Sequence, residues 1–160
     1  MNKLTKIVLF AALVLCGTSC GGGDDDPIPV NPVTPDPPQY PTFDAPQWQN
    51  EAQGVVNKYE STMTAYVTLP DSLSDKAAAN DQIAVFCGAE CRGYAFYDND
   101  AKVWIAMVYG NAGDALAFKY YSTATRHLYN ATATVPFAPD TQYGNPDAPQ
   151  VLSLNIETQK

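Results

Sequence analysis

From Tyr59 to Ile156 apolar side chains recur in short β-rich runs, broken every ten or so positions by turn-forming residues, and no stretch holds a helical period over a useful length. The pattern predicts strands over Tyr59–Leu69, Gln82–Cys87, Cys91–Tyr97, Lys102–Tyr109, Ala115–Tyr121, Leu128–Val135 and Val151–Ile156. Short strands with frequent turns define an all-β domain. The expected architecture is an immunoglobulin-like antiparallel β-sandwich of about seven strands, with a closed barrel as the alternative.

Turn chemistry sets the expected faces. Asp98-Asn99-Asp100-Ala101 suits a hairpin closed around Asn99-Asp100, which sets Tyr97 opposite Lys102 and Phe96 opposite Val103. Asn111 to Asp114 closes the next one. Period two then assigns Tyr94, Phe96, Val103, Ile105, Met107, Leu116 and Phe118 to the core. Tyr97, Lys102, Trp104, Lys119 and Tyr121 fall on the opposite face. Flat rings beside polar groups are what a sugar or peptide site uses, so these five form a candidate ligand or partner surface. Ordinary cross-strand pairing is the alternative.

Residues 86–91, FCGAEC, pose a question of register. A two-residue type II′ loop at Gly88-Ala89 pairs Cys87 with Glu90, sends the two sulfurs to opposite faces, and groups Ile83 and Val85 with Tyr94 and Phe96. A three-residue loop pairs Cys87 with Cys91 within reach of a disulfide and turns Ile83 and Val85 outward. Both remain open from sequence.

The N-terminal pattern differs in kind. Lys3 and Lys6 precede an apolar run from Ile7 to Cys16, half the ~20 residues that a membrane span needs, so residues 1–19 read as a secretory signal. Gly17-Thr18-Ser19-Cys20 resembles a lipobox, although Gly17 stands where Leu is usual, and the resemblance implies lipidation of Cys20. The GGGDDD run that follows resembles the acidic export signals of surface lipoproteins in Bacteroidetes. Eight prolines between Pro27 and Pro46 favour extended polyproline II, about 3.1 Å per residue and up to roughly 60 Å over those twenty residues, so residues 20–46 read as a lipidated, acidic, proline-rich stalk. Residues 47–160 remain for a single β-domain.

Charge narrows the partners. The chain carries nine Lys and Arg against seventeen Asp and Glu, and two of the nine lie in the signal. With no basic patch, nucleic acid is not an expected partner.

Recognisable catalytic chemistry is missing from the pattern. Cys87, Cys91 and the lone His127 do not make a zinc ligand spacing, the cysteines are not C-x-x-C, and no G-x-S-x-G motif accompanies the histidine. Asp98 and Asp100 lack the remaining loop ligands and glycine of an EF-hand. The expectation is a non-enzyme without cofactor or metal. Asp71-Ser72-Leu73 resembles the O-glycosylation sites of exported Bacteroidetes proteins, which makes Ser72 a candidate for modification.

Asn80-Asp81-Gln82-Ile83-Ala84-Val85-Phe86, continuing to Glu90-Cys91-Arg92-Gly93, resembles the "G-D-x-I-x-A-F…G-E-C-R-G" signature of a β-sandwich module of Bacteroidetes surface lipoproteins. Gly113-Asp114-Ala115-Leu116-Ala117-Phe118-Lys119 is similar to the module's "G-x-x-I-x-F-K" strand, and residues 145–154 resemble its closing strand. Asn80 replaces a Gly, Cys87 an apolar residue and Gly88-Ala89 an Asn-Gly turn. The resemblance implies an accessory lipoprotein of the outer membrane, exposed at the cell surface. Its expected partners are a SusC/SusD-type importer and a glycan or peptide nutrient. A structural or adhesive module without a nutrient ligand is the alternative.

Overall fold

The computed structural model describes residues 38–158. Cys20, the signal and most of the stalk lie outside them. The described residues form ten strands and two short helices: α1 (Trp48–Gln53), β1 (Ser61–Thr68), α2 (Asp71–Ser74), β2 (Gln82–Cys87), β3 (Glu90–Asp98), β4 (Val103–Gly110), β5 (Ala115–Ser122), β6 (His127–Ala131), β7 (Val135–Pro136), β8 (Gln142–Tyr143), β9 (Gln150–Val151) and β10 (Leu154–Ile156). The domain is all-β.

All ten strands join one hydrogen-bonded sheet, in the order β10-β6-β5-β2-β3-β4-β1-β8, with β7 added to β5 and β9 to β1. The sheet curls. At about 4.8 Å per strand, the five steps from β5 to β8 would separate them by roughly 24 Å in a flat sheet. Yet the rings of Phe118 on β5 and Tyr143 on β8 stack with centroids 5.9 Å apart. The inner face thus encloses the main core, built from Met63, Ala65, Val67, Ile83, Val85, Ala106, Val108, Leu116, Phe118 and Tyr120 with Phe137 and Leu152 from the loops.

The β2–β3 and β3–β4 hairpins were expected, but Asn111 to Asp114 does not close a third: β4 pairs with β1 and β5 crosses over to pair with β2. One further residue changes the faces. Cys87 pairs with Glu90 and Phe86 with Cys91, whereas Val85 pairs with Gly93, so Arg92 is an extra residue in a bulge. Beyond it β3 is shifted by one, and Ile83 faces Ala95 instead of Tyr94. Tyr94 and Phe96 therefore point outward, and through pairing of Phe96 with Ile105 the inversion passes to β4. Phe96 is 59% exposed and Met107 53%, while Trp104 and Ala106 take the core positions. The assignment of Tyr94, Phe96, Ile105 and Met107 to the core is corrected accordingly. Val103, Leu116 and Phe118 are buried as expected.

Gly93 follows the bulge where the backbone of β4 comes close. A Cβ there would lie 2.5 Å from the carbonyl oxygen of Met107, so only glycine permits this approach.

Part of the outer face is covered by α1. Trp48 and Ala52, one turn apart, are buried against Ala84, Phe86, Cys91 and Tyr121, and the Trp48 ring meets Phe86 edge-on at 5.7 Å. Residues 38–158 form part of a compact unit that begins at Pro37, ahead of the boundary expected at Gln47. Phe43 explains why. Its N–H donates to Arg126 O at 2.8 Å, its carbonyl accepts from Tyr121 at 3.1 Å, and its ring packs on the α1 cluster.

Candidate functional site

The β3–β4 turn is longer than its sequence suggested. Asp98 pairs with Val103, leaving four residues in the loop. The Asp98 side chain accepts hydrogen bonds from the backbone of Asp100 at 2.9 Å and Ala101 at 3.2 Å, and Lys102 closes the loop at φ 59°. This sets Tyr97 opposite Trp104 instead of Lys102, with ring centroids 5.2 Å apart and tilted by 54°. An Asp that caps its own turn stabilises the wider loop over the tight one.

On the other side of this hairpin, Leu69 ends the inner stripe of β1 and Pro70 opens α2, where Leu73 packs on the core. The chain then runs through Ala77, Ala78 and Ala79 to Asp81. That carboxylate is 3% exposed and anchors the segment. One oxygen accepts from Ala78 N–H at 2.9 Å and from the Tyr120 hydroxyl; the other accepts from Thr123 N–H at 2.8 Å and Thr123 Oγ1 at 2.7 Å. Burial, and then the bond to Asp81, push the Tyr120 hydroxyl well above its usual pKa, so it stays a donor.

Between the two lies a cleft of about 640 Å³. Tyr97, Asn99, Lys102 and Trp104 supply one wall, and Asp71, Ser74 and the three alanines supply the other; Thr68, Leu69 and Val151 complete it. Its size is that of a ligand pocket.

Of the five residues grouped from sequence, Tyr97, Lys102 and Trp104 line this cleft. Lys119 and Tyr121 do not. Lys119 Nζ sits 4.7 Å over the Phe86 ring, and Tyr121 is buried with Trp48 and bonded to Phe43. The shared alternation was real, but the bulge at Arg92 puts the two sets on opposite faces of the sheet. Asp71, Ser74, Ala77 to Ala79 and Val151 were not expected to contribute. Asp71-Ser72-Leu73 had been singled out for a different reason, and Ser72 is exposed on α2.

A second polar cluster fastens the β2–β3 turn. Glu90 receives Lys58, the Tyr59 hydroxyl at 2.6 Å and Arg92 Nε at 2.6 Å, although that N–H is not aligned as a hydrogen bond. Arg92 also reaches Asp114 at 3.2 Å and lies 3.9 Å from the centre of the Tyr59 ring. A buried guanidinium needs these partners, and the bulge brings it to them.

The turn itself takes the two-residue form, with Gly88 at φ 60°. Both cysteines are free thiols on opposite faces: Cys87 packs on the inner core, and Cys91 lies under α1. Cys91 Sγ donates to the Trp48 and Gly93 carbonyls at 3.6 Å, and burial pushes its pKa up to about 11. His127 rests against Tyr40, and among the described residues no three His, Cys, Asp or Glu side chains gather as metal ligands would.

No family model, curated protein or solved structure matches the chain.

Proposed function

We propose that the protein is a surface-exposed outer-membrane lipoprotein, a non-catalytic accessory subunit of a SusC/SusD-type complex, which captures a glycan or peptide nutrient. The observation that carries this reading is the cleft uniting Tyr97, Lys102 and Trp104. The lipobox-like Cys20, the acidic run and the proline-rich stalk supply the address. Acyl chains on Cys20 would hold it at the membrane, each buried CH₂ contributing roughly 0.8 kcal/mol.

The same reading assigns the domain to the immunoglobulin-like sandwich modules of Bacteroidetes surface lipoproteins. In its favour, the signature-like residues 80–93 build one continuous feature: the Asp81 anchor, β2, the turn, and the Arg92 bulge. Affinity purification of the tagged protein in mild detergent should return an importer of the outer membrane. Recovery without any such partner would refute docking, and an unchanged Trp fluorescence across glycan and peptide panels would refute capture.

A structural or adhesive role is favoured by a different observation. Phe96 and Met107 stand exposed beside Ile105 and Tyr66 on an outer face that α1 leaves bare. Adhesion of cells that lack this chain, compared with the parent, separates the two: lost adhesion with unchanged nutrient uptake selects the second.

A further inference from the structure

We infer that the ligand of the cleft is a short peptide with an apolar side chain and free charged ends, not a neutral sugar; the inference rests on the binding role proposed above.

The ring faces argue first. A sugar stacks on an open aromatic plane, but Trp104 is only 6% exposed and its neighbour Tyr97, 40% exposed, leans on it with a tilt of 54°. Little of the Trp104 plane is left open for stacking. The facing wall carries Ala77, Ala78 and Ala79 in a row beside Asp71 and Ser74, and along the alanines no side chain offers a hydroxyl a hydrogen-bond partner. Hydroxyls placed against the alanines would give up water without replacement. A Leu or Val side chain gains from the same surroundings.

The charges argue second. Asp71 and Lys102 line the cleft from different elements, and among the described residues neither forms an ion pair. A neutral sugar leaves both without a counter-charge. A free peptide brings one of each sign, its carboxylate for Lys102 and its ammonium for Asp71.

The wall is also fixed before any ligand arrives. Asp81 ties Ala78 to Tyr120 and Thr123, so little ordering cost falls on binding.

Calorimetric titration of the full chain tests this with three probes: free tripeptides with Leu, Val or Phe at the centre, the same peptides N-acetylated and C-amidated, and maltotriose. Free peptides should bind, and capping should weaken them at least tenfold. Lys102→Asn tolerates the positive φ and removes the cation, so it should weaken free peptides at least fivefold and capped ones by a clearly smaller factor. Ala79→Trp should fill the cleft and abolish binding. Equal affinity for capped and free peptides, or maltotriose binding that Ala79→Trp removes, overturns the ligand class and leaves the binding role standing. Silence from every probe overturns both.

Discussion

At the scale of single residues, Asp81 concentrates more consequence than any other polar group. It accepts four hydrogen bonds while almost fully buried, and Asp81→Ala would strand the Tyr120 hydroxyl and the Thr123 N–H inside the domain. The expected loss is about 2–4 kcal/mol, read as a lower urea midpoint. Because the same side chain holds Ala78 in the cleft wall, any ligand affinity should fall with it. The sequence pattern marked Asp81 as part of a motif, yet Tyr120 and Thr123 lie some forty positions downstream, where no local rule could reach them. The cysteines make a second case. With a pKa of about 11, Cys91 is thiolate in about one part in 10⁴ at pH 7, and it is buried. Native protein treated with iodoacetamide should be modified at Cys87 and spared at Cys91, and denaturation without reductant should open both. A Cys87–Cys91 crosslink in peptide mass mapping would refute the register described above.

At the scale of elements, the β2–turn–β3 hairpin shows how little separates a right from a wrong reading. Alternation identified both strands, and Gly88 marked where the chain turns while leaving open whether the loop holds two residues or three. Period two then failed at Arg92, because a bulge depends on where its side chain finds partners and not on any hydrophobic pattern. One inserted residue exchanged Phe96 and Met107 for Ala95 and Trp104 in the core and divided the candidate surface between two faces. Helix α1 escaped for another reason: six residues are too few to express a period. Glu90 holds this hairpin to Lys58, and its titration is measurable. The hydrogen bond from Lys58, then that from Tyr59, keeps its carboxyl below its ordinary value of 4.5. A depressed acid stabilises the fold at pH above the unfolded value, and that contribution disappears as pH falls through the lower folded one. Glu90→Gln should therefore lower Tm at pH 7, and the difference from the parent should close below about pH 4.5. A difference that stays constant from pH 7 to pH 3 would show that Glu90 contributes by packing alone.

At the scale of the whole molecule, the boundary between stalk and domain matters most for how the chain is held together. Composition placed it at Gln47, since Pro41 and Pro46 continue the proline spacing of the stalk. The contacts place it earlier. Phe43 closes the α1 cluster, its backbone carbonyl takes the hydroxyl of Tyr121, and Arg126 Nη2 meets Asp44 at 2.6 Å. The ion pair is exposed and adds little, whereas the partly buried ring contributes on the order of 1–2 kcal/mol through apolar area. Removing the segment also leaves the Tyr121 hydroxyl without its acceptor, beside a Trp48 that has lost its cover. A chain starting at Gln47 should thus melt roughly 5–10 °C below one starting at Pro37, since 1 kcal/mol shifts Tm by a few degrees at this size. Phe43→Ala in the longer chain should reproduce about half of that fall. Equal melting temperatures for the two lengths would return residues 38–46 to the stalk. A fall that Phe43→Ala does not share would move the stabilisation from the ring to the backbone bonds with Arg126 and Tyr121.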